Sequence, residues 1–330
     1  MYRLENNKLT KIEETTFKDL GMKESHVEEL LRQNVEMLCD EEDSMLIVGQ
    51  QVINECLGRS DLTAIDNEGN VVLIEIKRDK KDIEHRKEAF EFQAIRYAAS
   101  FAKFHTVEEF IQNVYVPYVE NHKSEYKDCK THTSVEIAQR ELSNFFNGND
   151  LSIEDFNKKQ RIILVASDFD EQTLSAVAWL NSNNVDISCY QIILNKINND
   201  VFINMKKILP LGDYNDYLVN ITKPAAFIQK KKASKISRKI LPKIDTLMEW
   251  GIVSAGDILV SNTPEKSEVV LQKDGNVKTE TNEILTIQQW LKKITGWSAV
   301  ETYRFTIDKK TGENLSKLRE DYMNKNISEE

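Results

Sequence analysis

The sequence predicts an α/β protein in which a mixed β-sheet is flanked by helices and is followed by a second, smaller α+β domain. Three features support this prediction: a β-hairpin pattern at residues 61–77, a strand, helix and strand in order at residues 161–194, and an abrupt change of composition at residues 223–243. The chain has 330 residues, of which 40% are hydrophobic and 30% charged, which suits about two globular domains.

The first helix is predicted over residues 26–38, with Ser25 as its N-cap. Four apolar side chains share one stripe at helical spacing: Val27, Leu30, Leu31 and Leu38. A short strand at residues 45–48 is predicted to follow this helix. The first part of the chain therefore begins with a helix that packs on a sheet.

Residues 61–65 and 71–77 are predicted to pair as a hairpin around the turn-forming residues 66–70. The two-residue period of a strand puts Glu75 and Lys77 on one face, and a turn that is symmetric about Glu68 places Asp61 directly across from Glu75. Opposed β-carbons lie about 4.5–5.5 Å apart, so two like charges there need a compensating group.

A divalent cation is the expected compensator between these carboxylates, since oxygen ligands suit Mg²⁺ or Mn²⁺. The predicted ligands are Asp61, Glu75 and the backbone carbonyl of Ile76, with Lys77 placed to orient a water or offset charge on a phosphate. The alternative is an edge strand whose glutamate and lysine lie on a solvated face.

Further along, a long helix is predicted over residues 84–104, and the polar stretch up to about residue 159 has no clear pattern. A buried strand at residues 161–166, a helix at 171–180 and a strand at 185–194 then predict a crossover unit that continues the sheet.

Three segments resemble the PD-(D/E)XK nuclease superfamily, in particular its branch with a Gln-x-x-x-Tyr motif. They read GRSDL at residues 58–62, VVLIEIK at 71–77 and QAIRY at 93–97, and the likeness covers roughly residues 24–97. Serine stands at position 60 where the family name has proline. The resemblance implies a restriction-endonuclease-like fold and magnesium-dependent hydrolysis of DNA phosphodiesters.

Carried over by position, the resemblance makes Asp61 and Glu75 metal ligands, Lys77 the catalytic lysine, and Gln93 and Tyr97 a helix pair that steadies the site or the DNA backbone. Helix packing is the alternative explanation for the latter pair.

The resemblance also implies an acidic residue on the first helix, for which Glu28 is the choice and Glu24 the alternative. A capping box formed by Ser25 and Glu28 is an equally good explanation of Glu28.

The net charge of −10 argues against a nucleic-acid partner at first, because phosphate contacts supply most of such binding energy. Positive charge is nevertheless concentrated in residues 77–87 and in a basic linker at residues 223–243. The residues predicted to contact DNA are Arg59, Arg78, Lys80, Lys81, Lys230, Lys231 and Lys232. For Arg59, an ordinary surface arginine is the alternative.

The domains are predicted at residues 1–222 and 244–330, with the linker between them. In the smaller domain a helix near residues 247–250 should stop at Gly251, and strands should lie at residues 258–261 and 268–272. Segments at residues 247–253, 255–259, 274–275 and 296–297 resemble the restriction-enzyme adenine-methylase-associated domain, which implies DNA sensing or partner binding. The alternative is that its tryptophans are core residues of a small domain.

No apolar run approaches the about 20 residues that a membrane span requires, and the chain start has no apolar signal core, so a cytoplasmic protein is expected. The function predicted is a metal-dependent DNA endonuclease in restriction, defence or repair. A homodimer is expected because two cuts in a duplex usually need two active sites. The alternative is a non-catalytic DNA-binding or adaptor protein that keeps the nuclease fold.

Overall fold

The computed structural model describes residues 2–12, 14–53, 58–79, 88–127, 129–198, 200–211 and 241–327. Its main feature is a mixed sheet of seven strands flanked by helices, as the sequence predicts at the level of an α/β class. The strands of this sheet are β3 (Glu14–Thr15), β4 (Met45–Ile53), β5 (Arg59–Asp66), β6 (Val71–Lys77), β7 (Gln160–Ala166), β8 (Ile187–Ile197) and β9 (Asp200–Leu209). A separate N-terminal hairpin consists of β1 (Tyr2–Glu5) and β2 (Lys8–Lys11).

The order of the strands explains why β6 is so apolar. Strands β4, β5 and β6 pair antiparallel, β6, β7 and β8 pair parallel, and β3 and β9 both pair antiparallel with β8. Strand β6 is therefore central, and every residue from Val71 to Ile76 is buried. Burial on both faces is typical of a strand with parallel neighbours, and it contradicts the alternative of an edge strand with a solvated face.

The helices of the first part of the chain are α1 (Glu24–Gln33), α2 (Phe90–Phe101), α3 (Val107–Phe110), α4 (Val116–Asn121), α5 (Ser134–Gly148) and α6 (Glu171–Ser182). A 3₁₀ turn at Val35–Leu38 follows α1, and a π-helical turn at Ile111–Tyr115 joins α3 to α4. The predicted crossover is confirmed, since β7, α6 and β8 follow one another and the two strands are parallel.

The predicted start of the first helix is wrong. Helix α1 begins at Glu24 with Lys23 as its N-cap, so Ser25 lies inside the first turn. The Lys23 backbone N–H donates to Nδ1 of His26 (3.2 Å), which gives a helix-start amide a partner that the sequence did not predict. Consequently Glu28 is not the acidic member of a capping box.

Residues 105–159, for which the sequence had no clear pattern, contain helix α5. Its N-cap is Thr133, whose hydroxyl accepts from the Glu136 N–H (3.2 Å), while the Glu136 carboxylate accepts from the Thr133 N–H (2.7 Å). This reciprocal pair is a capping box that could be read from the sequence. Of the helix predicted over residues 84–104, the described part forms α2, and residues 80–87 lie outside the described residues.

The last part of the chain forms a five-stranded antiparallel sheet with helices. Its elements are α7 (Ile244–Glu249), β10 (Ile258–Ser261), β11 (Glu268–Leu271), β12 (Val277–Lys278), β13 (Ile284–Leu285), α8 (Ile287–Thr295), β14 (Thr306–Asp308) and α9 (Leu315–Ile327). Gly251 follows α7 with φ +71°, in the left-handed region that favours glycine at a helix end, as predicted. Trp290 and Trp297 are buried core residues.

The C-terminal part contacts the free side of β4. Met45 and Ala299 exchange backbone hydrogen bonds (3.0 and 2.9 Å), and the Ser298 hydroxyl accepts from the Ile47 N–H (3.0 Å). The Trp297 ring packs against Phe145 and over Gly148, where an added Cβ would lie 2.4 Å from the indole. These bonds protect an otherwise exposed strand edge. Among the described residues, no helix is long and apolar enough to cross a membrane.

Candidate active site

The β5–β6 hairpin brings the two predicted carboxylates together. The register pairs Ile65 with Val71 and Leu62 with Ile74, as the symmetric turn predicts, and the next step of the same register places Asp61 opposite Glu75. Helix α1 packs on both of these strands, so acidic residues on its inner face approach the same end of the hairpin.

Glu75 is completely buried, which is unusual for a carboxylate that has no partner. Its side chain is 0% exposed, and neither carboxylate oxygen has a hydrogen-bond partner among the described residues. Burial raises the pKa of Glu75 well above its usual range, the negative charge of Asp61 raises it further, and the Lys77 ammonium opposes the shift. A buried charge without a partner is costly, so this position calls for a cation or a proton.

Asp61 is 7% exposed and is fixed by two donors. Its Oδ2 accepts from the Ile76 N–H (2.7 Å) and its Oδ1 accepts from Nε2 of Gln51 (3.3 Å). Burial raises the pKa of Asp61 to about 6, although the charge of Lys77 and the Ile76 amide both oppose the shift. These two hydrogen bonds fix the position of the carboxylate, and with a pKa of about 6 it is mostly ionised at neutral pH.

Lys77 lies next to the paired carboxylates and faces α1. Its Nζ donates to the Ile76 carbonyl (3.0 Å) and to Oε1 of Glu24 (3.3 Å), and it lies 5.7 Å from the centre of the Phe90 ring. Burial alone would lower the pKa of Lys77, but the charges of Asp61, Glu24 and Glu75 outweigh it and raise the pKa. The ammonium is thus charged at neutral pH and stands beside the site.

Both acidic residues considered on the first helix approach the site, but from different positions. Glu24 is half-buried and pairs with Lys77, whereas Glu28 is 4% exposed and accepts from Nε2 of Gln51 (2.6 Å). Burial raises the pKa of Glu28 to about 7, with hydrogen bonds from Gln50 and Gln51 opposing the shift. One oxygen of Glu28, Oε1, is buried without a hydrogen-bond partner.

The predicted helix pair lies on α2 beside the start of β5. The Tyr97 hydroxyl accepts from the Arg59 backbone N–H (3.0 Å) and lies 3.4 Å from Nε2 of Gln93. Tyr97 therefore fixes the strand two residues before Asp61, which is a positioning role.

Tyr97→Phe should lower the free energy of unfolding by about 1 kcal/mol, because the Arg59 N–H loses its acceptor. Urea unfolding measures this change, and Tyr2→Phe, at a tyrosine 62% exposed on the N-terminal hairpin, is the matched control. Equal midpoints for the two variants would contradict the role given to the Tyr97 hydroxyl.

The residues predicted to contact DNA are only partly described. Arg59 is exposed at the start of β5. The Arg78 guanidinium is half-buried, pairs with Asp79 (2.9 Å) and donates to the Met22 carbonyl (3.4 Å). Lys80, Lys81, Lys230, Lys231 and Lys232 lie outside the described residues.

The donors suit a magnesium or manganese ion, although the side chains alone do not form a complete cage. Within the described ranges no group of three His, Cys, Asp or Glu side chains is gathered closely enough to hold a metal. Magnesium is commonly held by one or two carboxylates with waters and substrate phosphate oxygens. Asp61, Glu75 with its unpartnered oxygens, and the Ile76 carbonyl provide that kind of donor set.

Two residues of the site were not predicted from the sequence. They are Gln50 and Gln51 near the end of β4. The Gln51 amide donates to Glu28 and to Asp61, and Gln50 opposes the raised pKa of Glu28. Two adjacent glutamines in an otherwise apolar strand were the available signal. Comparisons of the chain with protein-family models, with curated proteins and with solved structures find no match.

Proposed function

We propose that the protein is a divalent-cation-dependent DNA endonuclease with a restriction-endonuclease-like fold that acts in the cytoplasm. The observation that carries this proposal is the Glu75 carboxylate, which is wholly buried opposite Asp61 with neither oxygen partnered and with Lys77 two residues away. Two carboxylates at this spacing repel each other unless a cation lies between them.

Each residue of the site has a role in phosphodiester hydrolysis under this proposal. Asp61, Glu75 and the Ile76 carbonyl would hold Mg²⁺ or Mn²⁺, which when bound polarises the phosphodiester and makes a water more acidic. The Lys77 ammonium offsets charge that develops on the phosphate oxygens during attack. The Ile76 N–H keeps Asp61 in place, and Tyr97 fixes the strand that carries it.

DNA is the proposed substrate because basic residues surround the site in the sequence. Arg59 is exposed two residues before Asp61, and residues 77–87 carry six basic side chains against three acidic ones. Phosphate contacts from such residues position a duplex without reading its sequence. The C-terminal part is proposed to sense DNA or bind a partner, and a homodimer would allow both strands to be cut.

The test is a cleavage assay on the full chain. Supercoiled plasmid, methylated and unmethylated duplexes, single strands and forks are incubated with Mg²⁺, with Mn²⁺ and with a chelator. We expect nicking or cutting of at least one substrate that requires the metal and stops with the chelator. Retardation of DNA on a gel without cleavage would instead support the non-catalytic binding protein.

A further inference from the structure

Strand β4 is irregular where it passes the site. One register shift lies between Ile47 and Gly49, and Gln51 has a φ of +52°, in the left-handed region that a glutamine rarely adopts. The pairs Gln50–Leu62 and Val52–Ser60 leave Gln51 opposite Asp61. Unusual backbone of this kind is kept where surrounding contacts require it, and it is common at functional sites.

The irregular backbone lets two consecutive side chains reach one carboxylate. In a regular strand, Gln50 and Gln51 would point to opposite faces of the sheet. Here the Gln51 amide donates to Oε2 of Glu28 (2.6 Å). Gln50, whose Oε1 lies 2.9 Å from Nε2 of His122, opposes the raised pKa of Glu28. The Gln51 amide therefore fixes the Glu28 carboxylate from the β4 side.

The Gln51 amide also joins two elements that carry acidic residues. Its Nε2 lies 2.6 Å from Oε2 of Glu28 on α1 and 3.3 Å from Oδ1 of Asp61 on β5. An amide nitrogen has two hydrogens, so it can donate to both carboxylates at once. Without this donor, the two negative groups would repel each other across a buried space.

We infer that Gln51 is a positioning residue that holds Glu28 beside Asp61, so that Glu28 binds a water at the edge of the cation site rather than the cation itself. This inference rests on the proposed function. Gln51 itself does not touch the reacting phosphate; it acts through Glu28. The unpartnered Oε1 of Glu28 is the atom left available to a water bound to that cation.

A double-mutant cycle tests whether Gln51 acts through Glu28. Gln51→Gly removes the amide and accepts the positive φ, whereas Gln51→Glu keeps the side-chain length but cannot donate. Each should lower kcat/KM for metal-dependent cleavage by about 10–100-fold, the usual effect of losing a group that orients a metal-site residue. In a Glu28→Gln background the same changes should have less than about a threefold effect.

Gln160→Ala is the matched control, because the side-chain amide of this half-buried glutamine donates to Asn157 and lies at the opposite end of β6 and β7 from the site. It should leave kcat/KM unchanged. The inference is overturned if either Gln51 variant cleaves like the parent. It is also overturned if the fold-loss in kcat/KM of the double variant equals the product of the fold-losses of the two single variants. Should Gln51→Gly fail to fold, Gln51→Glu alone decides the cycle.

The failure of this inference can be told apart from the failure of the proposed function. Full cleavage by Asp61→Asn, Glu75→Gln and Lys77→Met would rule out the proposed active site whatever Gln51 does. If the parent does not cleave DNA, titration calorimetry measures the Mn²⁺ affinity of each protein in the same double-mutant cycle. Loss of affinity on Gln51→Gly that disappears in Glu28→Gln supports the positioning role, and equal losses in both backgrounds overturn it.

Discussion

Asp61→Asn, Glu75→Gln and Lys77→Met should each reduce magnesium-dependent DNA cleavage by about 10²–10³-fold or more. The first two substitutions remove one negative charge from the predicted ligand pair, and the third removes the ammonium beside it. All three keep the approximate size of the side chain, so the packing of β5 and β6 should survive. Initial rates on a cleaved substrate, at saturating and at limiting Mg²⁺, measure the effect.

The rates measured at limiting Mg²⁺ distinguish the predicted metal ligands from the catalytic lysine. Asp61→Asn and Glu75→Gln should raise the Mg²⁺ concentration needed for half-maximal rate, whereas Lys77→Met should lower the maximal rate with little change in that concentration. Lys158→Met is the control, since Lys158 pairs with Asp155 (2.7 Å) on an exposed turn. Full cleavage by all three site variants would rule out this active site.

The hairpin and its carboxylates could be predicted because local rules determine them. A five-residue turn between two apolar runs sets the register, and the two-residue period of a strand then puts Glu75 across from Asp61. No long-range contact is needed for that step. The parallel pairing of β7 and β8 also followed from the order of strand, helix and strand.

The rest of the site depends on contacts between distant segments, which a single sequence does not contain. The position of Gln51 follows from a positive φ inside a strand, a conformation that composition and periodicity do not predict. The role of Glu28 could not be separated from capping because Ser25 is a good N-cap residue by type. In the fold, Lys23 takes that position and Glu28 lies buried against β4.

Glu75→Gln should also make the metal-free protein more stable at neutral pH, by about 1–3 kcal/mol. The parent must either bury an unpartnered charge at this position or hold a proton there, and both are costly at pH 7.5. An uncharged amide has no such cost beyond its own hydrogen bonds, and the Asp61 carboxylate is an available acceptor. Urea unfolding in the presence of a chelator measures the difference.

The pH dependence of the metal-free parent follows from the same carboxyls. Burial raises the pKa of Asp61 to about 6 and that of Glu28 to about 7, and it raises the pKa of Glu75 strongly. Between about pH 4 and pH 7 the folded state therefore binds more protons than the unfolded state. The stability that these groups contribute is then greatest at and below about pH 4, and it falls as pH rises through the folded-state pKa values.

When metal is added, the parent should become more stable than Glu75→Gln, the reverse of their order in chelator. A cation that binds the folded parent at 100 times its dissociation constant adds about 2.7 kcal/mol, and the variant lacks one of the two carboxylates that would hold it. At pH 5 without metal the two proteins should differ less, because Glu75 is protonated. Glu320→Gln, at an exposed position of α9, should show neither change. A Glu75→Gln protein less stable than the parent at pH 7.5 in chelator would show that the buried carboxylate is compensated by protein groups rather than by a cation.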